Sequence, residues 1–354
     1  MIYSIFPKHT ATVYERYPKM NTSEDEILEL NKTVSSSEVT GIYNTRILLD
    51  FDITSNSASM AAEGITTQLY RLSLYTSNSN TPDPNFRIIV GDVDKPWTPG
   101  YGRSTHTPKT EVGVSWSHPS SSDSGWTEGS QGPTYTQTAT EGGTYYNTLP
   151  TQDLAWLDVT TLVDMIGDPA QDHEWAPDNG LLIQMHPSEE ISGNKHGYVN
   201  FYSGKTSTIY KPRLSMLYDD YSPNTGSLTA LDTNKEYYVY QSANQGTYKI
   251  DSTPKFRFIG REKYPTATYT ASTAALVEYL PTSSYYSLVD VRTGETVVPF
   301  DTTYTKISCD ANGNFANLKL SGLYPDRLYQ FHIRVDHSGT KDYHILDDMF
   351  RVYE

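Results

Sequence analysis

Short runs in which apolar and polar residues alternate, each closed by turn-forming residues, constrain this chain more than any other feature of its sequence. In residues 46–53, Ile47, Leu49, Phe51 and Ile53 fall on one side and Asp50 and Asp52 on the other, the period of a half-buried strand. The same period recurs at 86–90 and 181–185. Near the C-terminus Tyr329, Phe331, Ile333 and Val335 are separated by Gln330, His332, Arg334 and Asp336. Between such runs lie clusters of Gly, Pro, Asn, Asp and Ser, as at 76–85 and 119–125. The segment Asp310-Ala311-Asn312-Gly313-Asn314 carries the Asn-Gly pair of a hairpin turn. Helix is expected only at 158–166, where Asp158 or Thr160 can cap and Leu162, Val163 and Ile166 can cover a sheet. Many short strands joined by turns make a sandwich or a barrel.

At 354 residues the chain is long enough for two domains. The acidic, Pro- and Gly-bearing stretch 219–227 reads as a linker. The expected division is 1–220 and 221–354, with 228–264 as a candidate small unit of its own. The net charge of −15, with 27 Lys and Arg scattered singly, argues against nucleic-acid binding and against approach to an anionic membrane. No apolar run approaches the roughly 20 residues that span a bilayer. The opening Met1-Ile2-Tyr3-Ser4-Ile5-Phe6-Pro7-Lys8 lacks the pattern of a secretory signal, so synthesis in a cytoplasm is expected. The single Cys309 excludes an internal disulfide and a thiolate zinc cluster; it reads as a small buried residue.

Several segments, taken in order, resemble the DNRLRE-type jelly-roll family, which is related in architecture to carbohydrate-binding modules. They are Ala11-Thr12-Val13-Tyr14, Asp25-Glu26-Ile27-Leu28-Glu29-Leu30, residues 46–52, residues 69–75, Trp97, Val114-Ser115-Trp116, Trp156-Leu157-Asp158-Val159-Thr160, residues 180–185, Phe201-Tyr202-Ser203 and Lys211-Pro212-Arg213-Leu214. Residues 285–290, 293–301 and 322–329 are similar to C-terminal sandwich domains of tailed-phage structural proteins. Leu323, Pro325 and Tyr329 form the Leu-x-Pro-x-x-x-Tyr pattern of fibronectin-like sandwiches, where the Tyr anchors a strand at a corner. The resemblance implies an all-β chain, an N-terminal jelly-roll β-sandwich followed by a smaller Ig-like β-sandwich. It further implies a non-enzymatic structural protein of a tailed-phage virion, at a neck, tail, fibre or capsid surface. Its partners would be other virion proteins in a symmetric homo-oligomeric assembly, with attachment to a host-surface glycan as a further role. A carbohydrate-binding adhesion module is the alternative.

Candidate sites are few. Asp50 and Asp52 are the best carboxylate pair for hydrolytic chemistry, but on a strand they read as a solvated face. The nine histidines show no paired-ligand spacing, and residues 310–314 lack the last ligand of a calcium loop, so no cofactor is assigned and a structural calcium has no motif. Trp97 and Trp116 are expected in the core. Trp126, Tyr135, Tyr145 and Tyr146, in a Gly- and Ser-rich stretch, are the candidates for stacking on sugar rings. Asn21-Thr22-Ser23 and Asn31-Lys32-Thr33 match the glycosylation pattern by chance.

Overall fold

The computed structural model describes residues 1–34, 41–65, 67–79, 85–121, 125–127, 129, 131–135, 139–145, 152–165, 179–194, 196–265 and 278–354. Strand makes up 45% and helix 7%, which places the chain in the all-β sandwich class. It divides into an N-terminal unit, Ile5–Met216, and a C-terminal unit formed by Leu217–Glu354 together with Met1–Ser4. The expected division at 220 thus differs at both ends. The reason is local to the C-terminal unit. The Met1 nitrogen donates to the Tyr218 carbonyl and meets the Asp220 carboxylate at 2.7 Å, and the Tyr3 hydroxyl lies 3.2 Å from Ser321 Oγ. A Cβ at Gly322 would stand 2.8 Å from the backbone of Ser4, so only glycine admits this segment.

The first strands are β1 (Ile2–Ile5), β2 (His9–Tyr14), β3 (Ile27–Val34), β4 (Ile42–Asp50), β5 (Leu69–Leu74) and β6 (Thr76–Ser79). They are followed by β7 (Phe86–Asp92), β8 (Ala139–Tyr145), β9 (Leu154–Asp158), β10 (Leu181–Met185), β11 (Tyr198–Tyr202) and β12 (Arg213–Leu217). The larger sheet of the N-terminal unit runs β6-β11-β3-β4-β10-β7-β8, and β2 shares an edge of β4 with β3. The smaller sheet runs β12-β5-β9. Residues 181–185 are buried throughout, unlike the half-buried strand expected, because β10 lies between β4 and β7 in the middle of the sheet.

Among the described residues three α-helices interrupt the strands: α1 (Ile53–Ala62), α2 (Thr160–Met165) and α3 (Pro187–Glu190). α2 falls within the stretch expected to be helical. α1 corrects the sequence reading, which carried the strand of 46–53 through Ile53. β4 ends at Asp50, and Ile53 is buried together with Met60, seven residues on, at helical spacing.

The C-terminal unit contains β13 (Thr229–Ala230), β14 (Tyr237–Ser242), β15 (Thr247–Lys249), β16 (Lys255–Glu262), β17 (Glu278–Tyr279) and β18 (Ser284–Asp290). It continues with β19 (Thr296–Val298), β20 (Ser308–Asp310), β21 (Gly313–Asn317), β22 (Leu328–His337) and β23 (Thr340–Tyr353). One sheet places β14, β16, β21 and β20 side by side; the other runs β15-β23-β22-β18-β19. This is the strand distribution of an immunoglobulin-type sandwich. Its interior is aromatic: Phe256 lies 4.9 Å from Phe331 and 4.7 Å from Phe350, and Phe258 lies 5.2 Å from Phe331, ring centroid to ring centroid. The stretch 228–264 supplies β13, β14 and β16 to this sandwich and is not a unit apart. Nor does 219–227 behave as a free linker, since Ser222 accepts from the Cys309 amide and Pro223 bridges to the same residue. The expected hairpin joins β20 to β21, with Asp310 opposite Gly313, so Ala311 and Asn312 form its loop.

Candidate functional site

Of the aromatics singled out from the sequence, Trp126 and Tyr135 are not exposed. Trp126 is 3% exposed in a core cluster with Ala11, Val13, Leu48, Val93, Val114, Trp116 and Leu182, and its Nε1 donates to the Ser115 carbonyl at 3.0 Å. Tyr135 is partly buried and packs on the same cluster beside Trp97. Tyr145 closes β8, its side chain lying outside the described features, and Tyr146 lies outside the described residues. Trp126 can enter the core because the Ser115 carbonyl satisfies its indole N–H there.

A depression of about 440 Å³ lies instead on the larger sheet of the N-terminal unit. It is lined by Asp25, Glu26, Ile27, Glu29, Ser77, Asn78, Ser104, Asn200 and Tyr202. Strand alternation builds it. Leu28, Leu30, Val199 and Phe201 point into the core, which turns Ile27, Glu29, Asn200 and Tyr202 to the opposite face. The register sets Asn200 against Glu29 and Tyr202 against Ile27, and β6 adds Asn78 next to Asn200 with a bulge just beyond.

The polar groups of the depression are mostly acceptors. Glu29 takes the Tyr14 hydroxyl at 3.0 Å, and Asp25 takes the Ser104 amide with both oxygens at 3.1 Å. Burial pushes the Asp25 carboxyl above the usual range, and burial with the Glu29 charge pushes the Tyr14 phenol up. Asn200 Oδ1 is shielded from solvent and has no partner among the described residues. Tyr202 stacks on Tyr210 with centroids 5.8 Å apart, and Tyr210 in turn meets Tyr75 at 5.4 Å. A face rich in acceptors with a tyrosine row beside it suits a ligand that brings hydroxyl donors and a flat apolar side. The signal for it in the sequence was the spacing Tyr198-x-Asn200-x-Tyr202, unreadable as a site until β3 is known to lie alongside.

Asp50 and Asp52 do not share a strand face: Asp50 ends β4 and binds His9 Nδ1 at 2.8 Å, whereas Asp52 lies past the strand and pairs with Lys8 at 3.1 Å. Asn21 is fully buried, its amide nitrogen donating to the Val114 carbonyl at 2.8 Å. In the C-terminal unit a second depression of about 390 Å³ holds Tyr237, Asp342 and His344. Tyr237 donates to Asp342 at 2.8 Å, and His337 Nε2 lies 2.7 Å from the same oxygen. The lysines lining it are matched, Lys235 to Glu262 and Lys263 to Glu236. Among the described residues, no group of three or more His, Cys, Asp or Glu is placed to hold a metal, and no helix is long and apolar enough to cross a membrane.

These features define an all-β sandwich protein with a polar, tyrosine-flanked sheet face. No family model matches the chain, and no curated protein matches it. Among solved structures it is similar to a DUF4785 family protein from Legionella pneumophila at 9% identity and a TM-score of 0.18, over 98% of this chain. The chain spans 65% of that protein's length, and at this score the likeness carries no argument.

Proposed function

We propose that the chain is a non-enzymatic structural protein on the outside of a tailed-phage particle, acting through contacts with other virion proteins in a symmetric set of copies. The phage setting comes from the resemblance in the sequence. The observation that supports contact-making is an apolar strip on the outer face of β22 and β23. Leu328 is 45% exposed, Tyr343 60%, Ile345 63% and Met349 40%. Register sets Tyr343 beside Arg334, Ile345 beside His332 and Met349 beside Gln330, so these side chains share one face. Apolar residues gathered on a surface in this way mark interaction sites.

Peptide mass spectrometry on density-purified particles, with copy number taken against the major capsid protein, tests the reading. Detection at a fixed, low-multiple stoichiometry is expected; absence from intact particles sinks it. The depression over β3, β6 and β11 favours a second reading, an adhesion module for a surface glycan. It predicts millimolar to micromolar sugar affinity, weakened by Tyr202→Ala and measured by calorimetry.

A further inference from the structure

The basic side chains of this acidic chain are unevenly matched. In the N-terminal unit Lys8, Arg71, Arg87 and Lys205 each have a carboxylate within 3.1 Å. Arg16, Lys19, Arg103 and Lys109 are exposed and have no carboxylate at ion-pair distance among the described residues. Most of the acids nearest to them in sequence are engaged elsewhere, although the Arg103 charge acts on Asp25. Glu15 accepts from Asn44 at 2.8 and 3.1 Å, Glu24 pairs with Lys205 at 2.7 Å, and Asp25 holds the Ser104 amide. Glu26 and Glu111 are exposed and form no ion pair among the described residues.

The four cations stand on two loops held against each other. The Asn21 amide donates to the Thr110 carbonyl at 2.8 Å, Ser117 to Pro18 at 2.8 Å and Glu24 to Gly102 at 3.0 Å. The buried Asn21 side chain locks the pair, accepting from the Gly102 amide and donating to Val114, both at 2.8 Å. A Cβ at Gly100 would come within 2.4 Å of Asn21 Oδ1, which shows how closely the backbones approach. Two aromatic rings sit among the charges. Tyr17 is 48% and Tyr101 62% exposed, and Lys109 Nζ stands 6.0 Å from the centroid of the Tyr17 ring.

We propose that this loop pair binds an acidic polysaccharide, its carboxylate or phosphate groups met by Arg16, Lys19, Arg103 and Lys109 and its sugar rings lying on Tyr17 and Tyr101. Fixed loops present the side chains without a backbone ordering cost at binding. The inference goes beyond the sheet depression of the second reading and does not depend on it. It is tested separately: absence of the chain from particles with glycan binding intact overturns the virion setting and not the site.

The experiment is affinity electrophoresis and calorimetry of the full chain with polygalacturonate, a phosphomannan, neutral dextran and a thymidine oligonucleotide. Binding to either acidic polymer that weakens in high salt, with none to dextran, is the expected result, and the polymer preferred identifies carboxylate or phosphate as the anion. Lys19→Glu with Lys109→Glu lowers affinity roughly tenfold or more and Tyr101→Ala lowers it severalfold, with thermal melting as in the parent. Equal binding to dextran, tighter binding to the oligonucleotide, no binding to either acidic polymer, or no effect of charge reversal overturns the proposal. Loss of binding on Tyr202→Ala, which lies in the sheet depression, also overturns it.

Discussion

Two residues show how differently single positions can be read. Tyr329 was legible from Leu323, Pro325 and its own spacing. It is fully buried, its hydroxyl donating to the Tyr324 carbonyl at 3.0 Å and accepting from the Tyr324 amide at 2.9 Å. Tyr329→Phe leaves both backbone groups without that partner and is expected to cost about 1–3 kcal/mol, read as a shift in urea midpoint. Arg46 was illegible. Sequence placed it on the polar side of a strand, yet it pairs with Glu190 at 2.7 Å, donates to the Gln131 and Pro133 carbonyls and lies over the Trp116 ring at 4.8 Å. Its partner is 144 residues away, a distance no local pattern spans. Glu190→Ala strands a buried guanidinium and is expected to destabilise by about 3–5 kcal/mol, whereas Glu190→Gln costs less; comparing the two melting curves checks this. Trp126 failed for the same reason as Arg46: a loop that looks exposed from its Gly and Ser content is covered by contacts made far along the chain.

At the scale of elements, alternation found the strands because burial on one face imposes a period of two, and β22 follows it from Leu328 to Ile333 before the buried Arg334 breaks it. It misplaced the end of β4 because Phe51 and Ile53 satisfy a strand period locally, while Ile53 and Met60 reveal a helix only over a longer window. Depressions such as that over β3, β6 and β11 were beyond reach, since they depend on which strands are neighbours. The β20–β21 hairpin carries a testable pH dependence. Arg257 on β16 holds Asp310 with two hydrogen bonds, 2.8 and 2.9 Å, and keeps its carboxyl well below the usual range. A carboxyl lowered on folding adds stability that is complete above its unfolded value of about 3.9 and is lost as pH falls through the lowered folded value. Asp310→Asn is therefore expected to lower the melting temperature at pH 7 and to flatten its decline below about pH 4, measured by calorimetry across that range.

For the whole molecule, composition and alternation were enough to establish an all-β chain with a division near residue 220, but not that Met1–Ser4 belongs with residues beyond Met216. Four residues carry too little pattern to show their destination. Removing residues 1–4 is expected to raise amide exchange around Tyr218 and Ser321, and Gly322→Val to do the same by blocking the approach of Ser4. Hydrogen-exchange mass spectrometry decides it; unchanged protection at both sites contradicts the assignment. The same arrangement sets a timetable for biosynthesis. Residues 1–4 are translated well before the sandwich to which they belong, so Tyr3 waits for more than three hundred residues before Ser321 exists to receive it. A chain cut anywhere between Ser4 and Leu217 therefore separates residues 1–4 from the unit that they complete.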